Sequence, residues 1–343
     1  MLSVVVDQPQ HMAVQERPMP EPQEGEVRIR VRYAGICGSD LHIFHGYNPF
    51  VSYPRVIGHE FVGRIMSVGP GVDAARIGQT VVVDPVISCG QCHACLIGRR
   101  NVCSRLQVIG VHRDGGFSQY ACVPQGNAYV VPKGLADASA SVIEPFAVAA
   151  NVTGRTGVFP SDVALIYGAG PVGLNLMQVL KRVYGIRAFI TDHFDERLAL
   201  ALQVGAAEDE IINTRREPLE EALEKRGVQG GPTLIYDAVC HPSILEEAVR
   251  LAAPAGRIGI LGFSNTPSAI PQQELTKKEL TLYASRLNCA MFPQVIEWIE
   301  KGLVDPGRII SHKVDFRDVQ SAFDLAERDP RNSCKVLLDF GAP

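Results

Sequence analysis

The strongest chemical signal in the sequence is a group of four of its nine cysteines within one short loop. They follow the pattern C-x2-C-x2-C-x7-C and are Cys89, Cys92, Cys95 and Cys103. Four thiolates at such spacing can close tetrahedrally around one zinc ion, and they leave no coordination position for a substrate. An iron–sulfur cluster is the alternative, but bacterial cluster-binding runs use a different spacing and usually carry proline after the last cysteine. The pattern therefore predicts a structural zinc site.

A second set of potential metal ligands lies in the short motifs GICGSDLH and IGHEFVG. These motifs contain Cys37, His59 and Glu60, and a further carboxylate, Glu144, follows in the segment IEPFAV. A catalytic zinc needs protein ligands of mixed type and an open position. Each residue also has an ordinary alternative role, as a buried cysteine, a core histidine or an acid at a helix N-terminus. The residue types alone leave this choice open.

A glycine-rich segment, GAGPVG, follows a predicted strand and opens a predicted helix. In a G-x-G-x-x-G loop the first glycine permits the turn, the second lets the backbone approach a pyrophosphate, and the third packs helix against strand. The helix N-terminus then offers N–H donors to the phosphates. We therefore predict a dinucleotide-binding loop made of Gly168, Ala169, Gly170, Pro171, Val172 and Gly173.

Asp192 ends the next predicted strand, close to the offset of about 20 residues at which a ribose-binding acid is expected. Its carboxylate can accept hydrogen bonds from both ribose hydroxyls and would repel a 2′-phosphate, which favours NAD over NADP. The alternative role is a cap on the following helix. The neighbouring His193 would weaken the discrimination against a phosphate.

The order of the predicted elements places these residues in two domains. The first part of the chain is β-rich and punctuated by Gly and Pro, with strands such as GEVRIRVRYAG. A helix interrupted at Pro145 follows, and strands and helices then alternate, which predicts a doubly wound parallel sheet. Helices and a final strand, KVLLDF, close the chain. We expect a nucleotide-binding domain at 150–286 inserted into a domain built from 1–149 and 287–343.

The composition is that of an ordinary globular protein. Hydrophobic residues make up 46% and charged residues 20%, and the formal charge is −4. Without a basic run, nucleic acid and anionic membranes are not expected partners. We expect no secretory signal at the N-terminus and no apolar stretch that reaches the roughly 20 residues of a membrane helix, so a cytoplasmic location is predicted.

Several motifs occur in the order typical of one family. They are GICGSDLH, YPRVIGHEFVG, CGQCHACLIGRRNVC, GVHRDGGFSQY, IEPFAVAANV and GAGPVG, and together they span the chain. The sequence resembles the medium-chain zinc alcohol dehydrogenases of the polyol and sugar-acid branch, which includes sorbitol, threonine and L-galactonate dehydrogenases. The resemblance implies an α/β protein, with a GroES-like β-rich catalytic domain and a Rossmann domain.

The resemblance also implies roles for individual residues. Cys37, His59 and a carboxylate would hold a catalytic zinc, in addition to the structural one, and either Glu60 or Glu144 would supply that carboxylate directly or through water. Ser39 would take the proton from the substrate hydroxyl, and His42 would pass it on. From the residues alone, Ser39 could instead cap a helix that starts at Asp40, and His45 competes with His42. Arg197 would stack near the adenine.

The implied activity is hydride transfer between a secondary alcohol of a polyol or sugar acid and NAD. Candidates to face a substrate carboxylate are Arg55, Arg286 and His112, and Arg286 could instead contact the nicotinamide side of the cofactor. A homodimer or homotetramer is expected. The alternative is a regulatory or sensing protein that binds nucleotide and zinc with little turnover. The presence of Cys37, His59, Ser39 and His42 favours the enzyme.

Overall fold

The computed structural model describes residues 1–341 and divides the chain into two compact units. Unit 1 comprises Met1–Glu144, Asn288–Glu300 and the C-terminal segment from Ile310, and unit 2 comprises Pro145–Leu287 and Lys301–Ile309. Within the described residues, no helix is both long and apolar enough to cross a bilayer.

The strands are numbered along the chain. Their bounds are β1 Leu2–Gln8, β2 His11–Glu16, β3 Glu26–Gly35, β4 Arg55–Val56, β5 Glu60–Val68, β6 Thr80–Val83, β7 Val86–Ile87, β8 Gln107–Val108, β9 Tyr120–Pro124, β10 Ala128–Val130, β11 Val163–Tyr167, β12 Arg187–Asp192, β13 Ile211–Asn213, β14 Leu234–Asp237, β15 Arg257–Ile260, β16 Thr281–Ala284, β17 Ile310–Asp315 and β18 Lys335–Asp339.

The helices are numbered in the same way. Their bounds are α1 Gly38–Phe44, α2 His93–Leu96, α3 Asp137–Ala140, α4 Ile143–Thr156, α5 Pro171–Gln178, α6 Asp195–Gln203, α7 Leu219–Lys225, α8 Pro242–Leu251, α9 Gln272–Lys278, α10 Phe292–Glu300 and α11 Val319–Arg328. A π-helical turn, Val179–Val183, continues α5.

Unit 1 is built around a mixed sheet with the strand order β10-β6-β5-β3-β18-β17, and β9 also pairs with β3. The alternation in the sequence of β3 explains its position, because Val27, Ile29 and Val31 are buried while Arg28 and Arg30 remain partly exposed. The last strand of the chain, β18, pairs antiparallel with β3. Both ends of the chain therefore contribute to one β-rich unit, and the expected GroES-like fold is confirmed.

Unit 2 contains a parallel six-stranded sheet with the order β13-β12-β11-β14-β15-β16. The strand order reverses between β11 and β14, so the carboxyl ends of these two strands form a topological switch point, where α/β sheets bind ligands. Apolar side chains of the strands pack against the helices; Leu165, Phe189, Ile235, Ala248 and Ile258 belong to this core. The predicted doubly wound sheet is confirmed.

Two helices differ from the expectations, and a third changes type along its length. Helix α4 runs through Pro145 without interruption, because proline in the first turn of a helix loses no hydrogen bond. Helix α5, which follows the glycine-rich segment, ends as an α-helix at Gln178 and continues as the π-helical turn. Helix α1 begins at Gly38 rather than Asp40, with Cys37 as its N-cap residue.

Candidate metal centres and nucleotide loop

The four clustered cysteines converge in unit 1 as their spacing predicts. Their sulfur atoms all lie within 4.8 Å of one another. The Cys92 Sγ atom is 3.5 Å from that of Cys95 and 3.8 Å from that of Cys103. Zinc–sulfur bonds of about 2.3 Å in a tetrahedron place sulfurs about 3.8 Å apart. The donor set and its spacing therefore fit one zinc ion.

Backbone N–H groups surround these sulfurs. The N–H groups of Cys89 and Arg105 each donate to the Cys103 sulfur at 3.3 Å. Hydrogen bonds from the backbone of Ser104 and then of Cys95 lower the pKa of the Cys92 thiol to about 5. Metal ligation requires the thiolate form of cysteine. These hydrogen-bond donors stabilise the thiolate and therefore favour metal binding by the loop.

A second cluster in unit 1 unites Cys37, His59 and Glu60, whose ligand atoms also lie within 4.8 Å of one another. The sheet register explains this, because Glu60 at the start of β5 is the partner of Gly35 at the end of β3. Cys37 follows two residues later at the N-cap of α1. A thiol, an imidazole and a carboxylate are a donor set that fits catalytic zinc.

Glu144 lies outside this group of ligand atoms. It is 3% exposed, and burial raises the pKa of its carboxyl to about 8, with a further contribution from the Glu60 charge. Cys37, His59 and Glu60 are therefore the three predicted residues whose ligand atoms the structure brings together, and Glu144 is a buried acid whose carboxyl interacts electrostatically with His59 and Glu60.

Two residues absent from the sequence-based site support this cluster. Asp40 is fully buried, accepts a hydrogen bond from the Cys37 N–H at 2.9 Å, and places Oδ1 3.4 Å from His59 Nδ1. Lys335 donates to both carboxylate oxygens of Glu60. The sequence could have indicated Asp40, because this residue stands three positions after Cys37 in the motif GSDLH. No local sequence pattern indicates Lys335, since only the pairing of β18 with β3 brings it to the cluster.

The residues predicted to move a proton all lie on or next to α1. The Ser39 hydroxyl is 3.4 Å from His59 Nε2, and Ser39 stands inside the helix rather than at its cap. His42 is exposed, with its ring centroid 6.5 Å from that of Tyr47. His45 instead contacts the Glu327 carboxylate at 2.7 Å. This arrangement favours His42 over His45.

The glycine-rich segment in unit 2 forms a turn between β11 and α5. Gly168 has a φ of +93°, which glycine adopts without strain. A Cβ on Gly173 would lie 1.8 Å from the Gly168 carbonyl oxygen, so only glycine permits this close approach. A Cβ on Gly170 would meet nothing within 4 Å, and Gly170 is the N-cap residue of α5. The backbone there is open toward a ligand.

Asp192 holds this turn to the end of β12. Its carboxylate accepts hydrogen bonds from the N–H groups of Ala169 at 2.9 Å, His193 at 2.7 Å and Phe194 at 3.1 Å. Arg197 places a guanidinium nitrogen 3.8 Å from the same carboxylate. The carboxylate therefore orders the glycine-rich turn and the start of the segment that follows β12.

The candidates for a substrate carboxylate are scattered. Arg55 forms an ion pair with Asp114 at 3.0 Å. His112 accepts the Val108 N–H through Nδ1 at 3.1 Å. Arg286 in unit 2 lies 5.8 Å from the centre of the Phe263 ring, and burial lowers its pKa. These contacts select no single residue for the substrate.

Comparisons with known proteins agree with this geometry. Residues 23–133 match the alcohol dehydrogenase GroES-like domain, and residues 171–301 match the zinc-binding dehydrogenase domain. The chain is 52% identical to the starvation-sensing protein RspB of Escherichia coli K12, with 99% of each chain covered. It is 32% identical to L-galactonate-5-dehydrogenase of the same organism, with 98% of each covered.

A solved structure is similar to this chain over nearly its whole length. The alcohol dehydrogenase rspB of E. coli CFT073, crystallised with NADH, is 52% identical, covers 99% of both chains and has a TM-score of 0.95. Together with the two domain matches and the two converging ligand clusters, this similarity identifies the family. The chain belongs to the zinc-dependent medium-chain alcohol dehydrogenases.

Proposed function

We propose that the protein transfers a hydride between a secondary alcohol of a polyol or sugar acid and NAD. The convergence of Cys37, His59 and Glu60, with ligand atoms within 4.8 Å of one another, carries this proposal. The names of relatives such as L-galactonate-5-dehydrogenase support the substrate class, and the NADH in the rspB structure supports the cofactor. The two donor sets support two zinc ions per chain.

We assign the cluster of Cys37, His59 and Glu60 to the catalytic zinc. When bound, the metal supplies a Lewis acid that favours loss of the substrate's hydroxyl proton near neutral pH. Asp40 orients His59 from its Nδ1 side, which leaves Nε2 for ligation. Lys335 holds the carboxylate of Glu60. Glu144 remains a second carboxylate available to the same centre.

Ser39 and His42 form the proposed proton path. Ser39 stands beside His59 and can accept the hydroxyl proton of a substrate at this centre. His42 lies one turn further along α1 and is exposed, so it can exchange that proton with bulk water. In unit 2, residues 168–173 would bind the pyrophosphate of the cofactor and Asp192 its ribose, with Arg197 near the adenine. NAD held there would supply the hydride acceptor.

We also propose how the chain is organised into domains and subunits. Residues 1–149 and 287–343 would form the catalytic domain and residues 150–286 the nucleotide-binding domain. The protein would act in the cytoplasm as a homodimer or homotetramer.

A substrate screen tests the function. The zinc-loaded protein is incubated with NAD and a panel of polyols and sugar acids, and NADH is followed by absorbance. Turnover of at least one member is expected, and Cys37→Ala should abolish it and remove about one zinc per chain. Cys122→Ala, outside both clusters, serves as the control and should retain both. Failure of the whole panel at full zinc occupancy would instead favour a nucleotide- and zinc-binding sensor.

A further inference from the structure

We propose that Asp237 and Cys240 are positioning residues, which fix the turn after β14 for the nicotinamide half of the cofactor. This turn, which we call the β14 turn, comprises Ala238, Val239 and Cys240. The inference deepens the proposed function, because it rests on the binding of NAD to unit 2. It concerns residues outside both the glycine-rich loop and the ribose-binding acid.

The β14 turn lies at the topological switch point of the parallel sheet. Tyr167 at the end of β11 is the register partner of Asp237 at the end of β14. The glycine-rich loop and Asp192 follow β11 and β12, so the pyrophosphate and the adenosine half of the cofactor would lie on that side. A dinucleotide crosses the crevice at the switch point. The nicotinamide half would therefore extend over the carboxyl ends of β14 and β15.

The carboxylate of Asp237 orders the backbone of the β14 turn. Its Oδ1 atom accepts the N–H groups of Val239 and Cys240, each at 3.0 Å. Asp237 is 2% exposed, so bulk water does not reach these N–H groups easily if the carboxylate is removed. A buried donor left without an acceptor is costly, and the turn would rearrange to satisfy it. Asp192 holds the glycine-rich turn in the same way on the other side of the switch point.

The side chains of the β14 turn pack against glycines of the two neighbouring turns. A Cβ on Gly168 would lie 2.9 Å from Cγ2 of Val239. A Cβ on Gly262, which follows β15, would lie 2.8 Å from Cβ of Cys240 and 3.1 Å from its sulfur. The β14 turn is thus packed between the turns after β11 and β15. A change in its conformation would alter the surface that these three turns form together.

Cys240 has a backbone conformation that side chains rarely adopt. Its φ is +70°, in the left-handed region that favours glycine. Such strain persists only where the surrounding structure holds it, and it is frequent at ligand sites. Burial and then the charge of Asp237 raise the pKa of the Cys240 thiol. The thiol is therefore neutral near pH 7 and serves as a small packing group rather than as a nucleophile.

Exposed apolar side chains mark this side of the sheet as a ligand surface. Val239 in the β14 turn is 47% exposed, and Phe263 in the turn after β15 is 62% exposed. Strands β14 and β15 are direct neighbours, so the two turns lie side by side. Cofactor sites are lined mainly by apolar and aromatic side chains, which suit the flat face of a nicotinamide ring. Correct placement of Val239 therefore depends on Asp237.

Two binding measurements on the full zinc-loaded chain test the proposal, NADH by its fluorescence and ADP by calorimetry. ADP contains the adenosine and the pyrophosphate but lacks the nicotinamide half. Asp237→Ala should raise the Kd for NADH about tenfold and that for ADP less than about twofold. Asp237→Asn should remain within about threefold of the wild type for NADH, because its amide oxygen can still accept both N–H groups. Asp192→Ala is the matched control and should weaken both ligands.

Cys240→Gly provides a second test that does not depend on the folding of Asp237→Ala. Glycine adopts a φ of +70° without strain, so the free energy of unfolding should change little. Loss of the contact with Gly262 should nevertheless weaken NADH about threefold and leave ADP unchanged. A structural role alone would not separate the two ligands in this way.

NADH binding by both Asp237→Ala and Cys240→Gly that equals the wild type, or an equal loss for NADH and ADP, would overturn the proposal. A wild type that binds NADH but turns over no substrate would contradict the proposed activity alone, and these titrations would still decide the role of Asp237. A wild type that does not bind NADH would overturn both.

Discussion

Lys335 donates hydrogen bonds to both carboxylate oxygens of Glu60, at 2.9 and 2.7 Å, across 275 residues of sequence. Both side chains are at most 2% exposed, and Lys335 also donates to the Ile36 carbonyl at 3.1 Å. Strand β18 thus anchors one of the candidate zinc ligands through a buried ion pair. Charges this deeply buried are stable only when they are paired.

Replacement of Lys335 by methionine should therefore destabilise unit 1. The Glu60 charge would lose its buried partner, and breaking such a pair costs about 3 kcal/mol. The free energy of unfolding, measured by urea denaturation of the zinc-depleted protein, should fall by that amount. The double variant Lys335→Met/Glu60→Gln should recover part of the loss. A single variant as stable as the wild type would contradict the role of the pair.

Asp40→Asn should weaken the catalytic zinc without affecting the structural one. The carboxylate faces His59 Nδ1, and loss of such a partner typically lowers metal affinity by about 10- to 100-fold. Competition with a chelator, followed by metal analysis, should reveal one weakened site and one unchanged site per chain. The unchanged site is the internal control, and equal retention of both ions would refute the assignment of Asp40.

Cys92→Ser should remove the structural zinc. The Cys92 sulfur lies 3.5 Å from that of Cys95, and substitution leaves the tetrahedron incomplete. We expect one zinc fewer per chain and faster proteolysis in the loop between Cys89 and Cys103, because bound metal contributes directly to local folding. Cys122→Ser is the matched control. Full zinc content and unchanged proteolysis in the Cys92 variant would contradict a metal site there.

Asp192 provides a test of cofactor choice. Asp192→Asn keeps an acceptor for the backbone N–H groups but removes the charge that opposes a 2′-phosphate. The ratio of NAD to NADP affinity should fall about tenfold, equivalent to about 1.4 kcal/mol. Asp195→Asn, on the first turn of α6, is the control. An unchanged ratio would mean that Asp192 only orders the loop.

Burial of Asp84 should make the free energy of unfolding depend on pH. The residue is 5% exposed, and burial raises the pKa of its carboxyl despite hydrogen bonds from the Val86 N–H and the Asn288 amide. Because the pKa of Asp84 is higher in the folded protein than in the unfolded chain, where it is about 4, protonation of Asp84 stabilises the fold. This stabilisation is fully present below the unfolded-state pKa and is lost as the pH rises through the folded-state pKa. Ionised Asp84 therefore opposes folding at pH 7.

Asp84→Asn should accordingly raise the free energy of unfolding at pH 7 by about 1 kcal/mol, because the amide oxygen can still accept both hydrogen bonds. Urea denaturation between pH 4 and pH 7 should show the advantage shrinking toward pH 4. Asp73→Asn, at an exposed turn, is the control. An equal advantage at both ends of the range would exclude ionisation as the cause.

The sequence by itself determined the features that depend on local spacing. The cysteine loop and the glycine-rich segment lie within short stretches of chain, so residue type and separation determine the geometry that they can adopt. The alternation of β3 and the strand–helix order after residue 160 likewise predicted the two sheets, because hydrophobic periodicity reflects which face is buried. Local rules placed helix boundaries less well, as the start of α1 at Gly38 shows.

Only the tertiary structure decided which distant residues meet. The proximity of Glu60 to Cys37 and His59 follows from the register of β3 against β5, and Lys335 reaches Glu60 through the pairing of β18 with β3. Strand pairing between remote segments is set by the collective burial of apolar faces, which no short motif encodes.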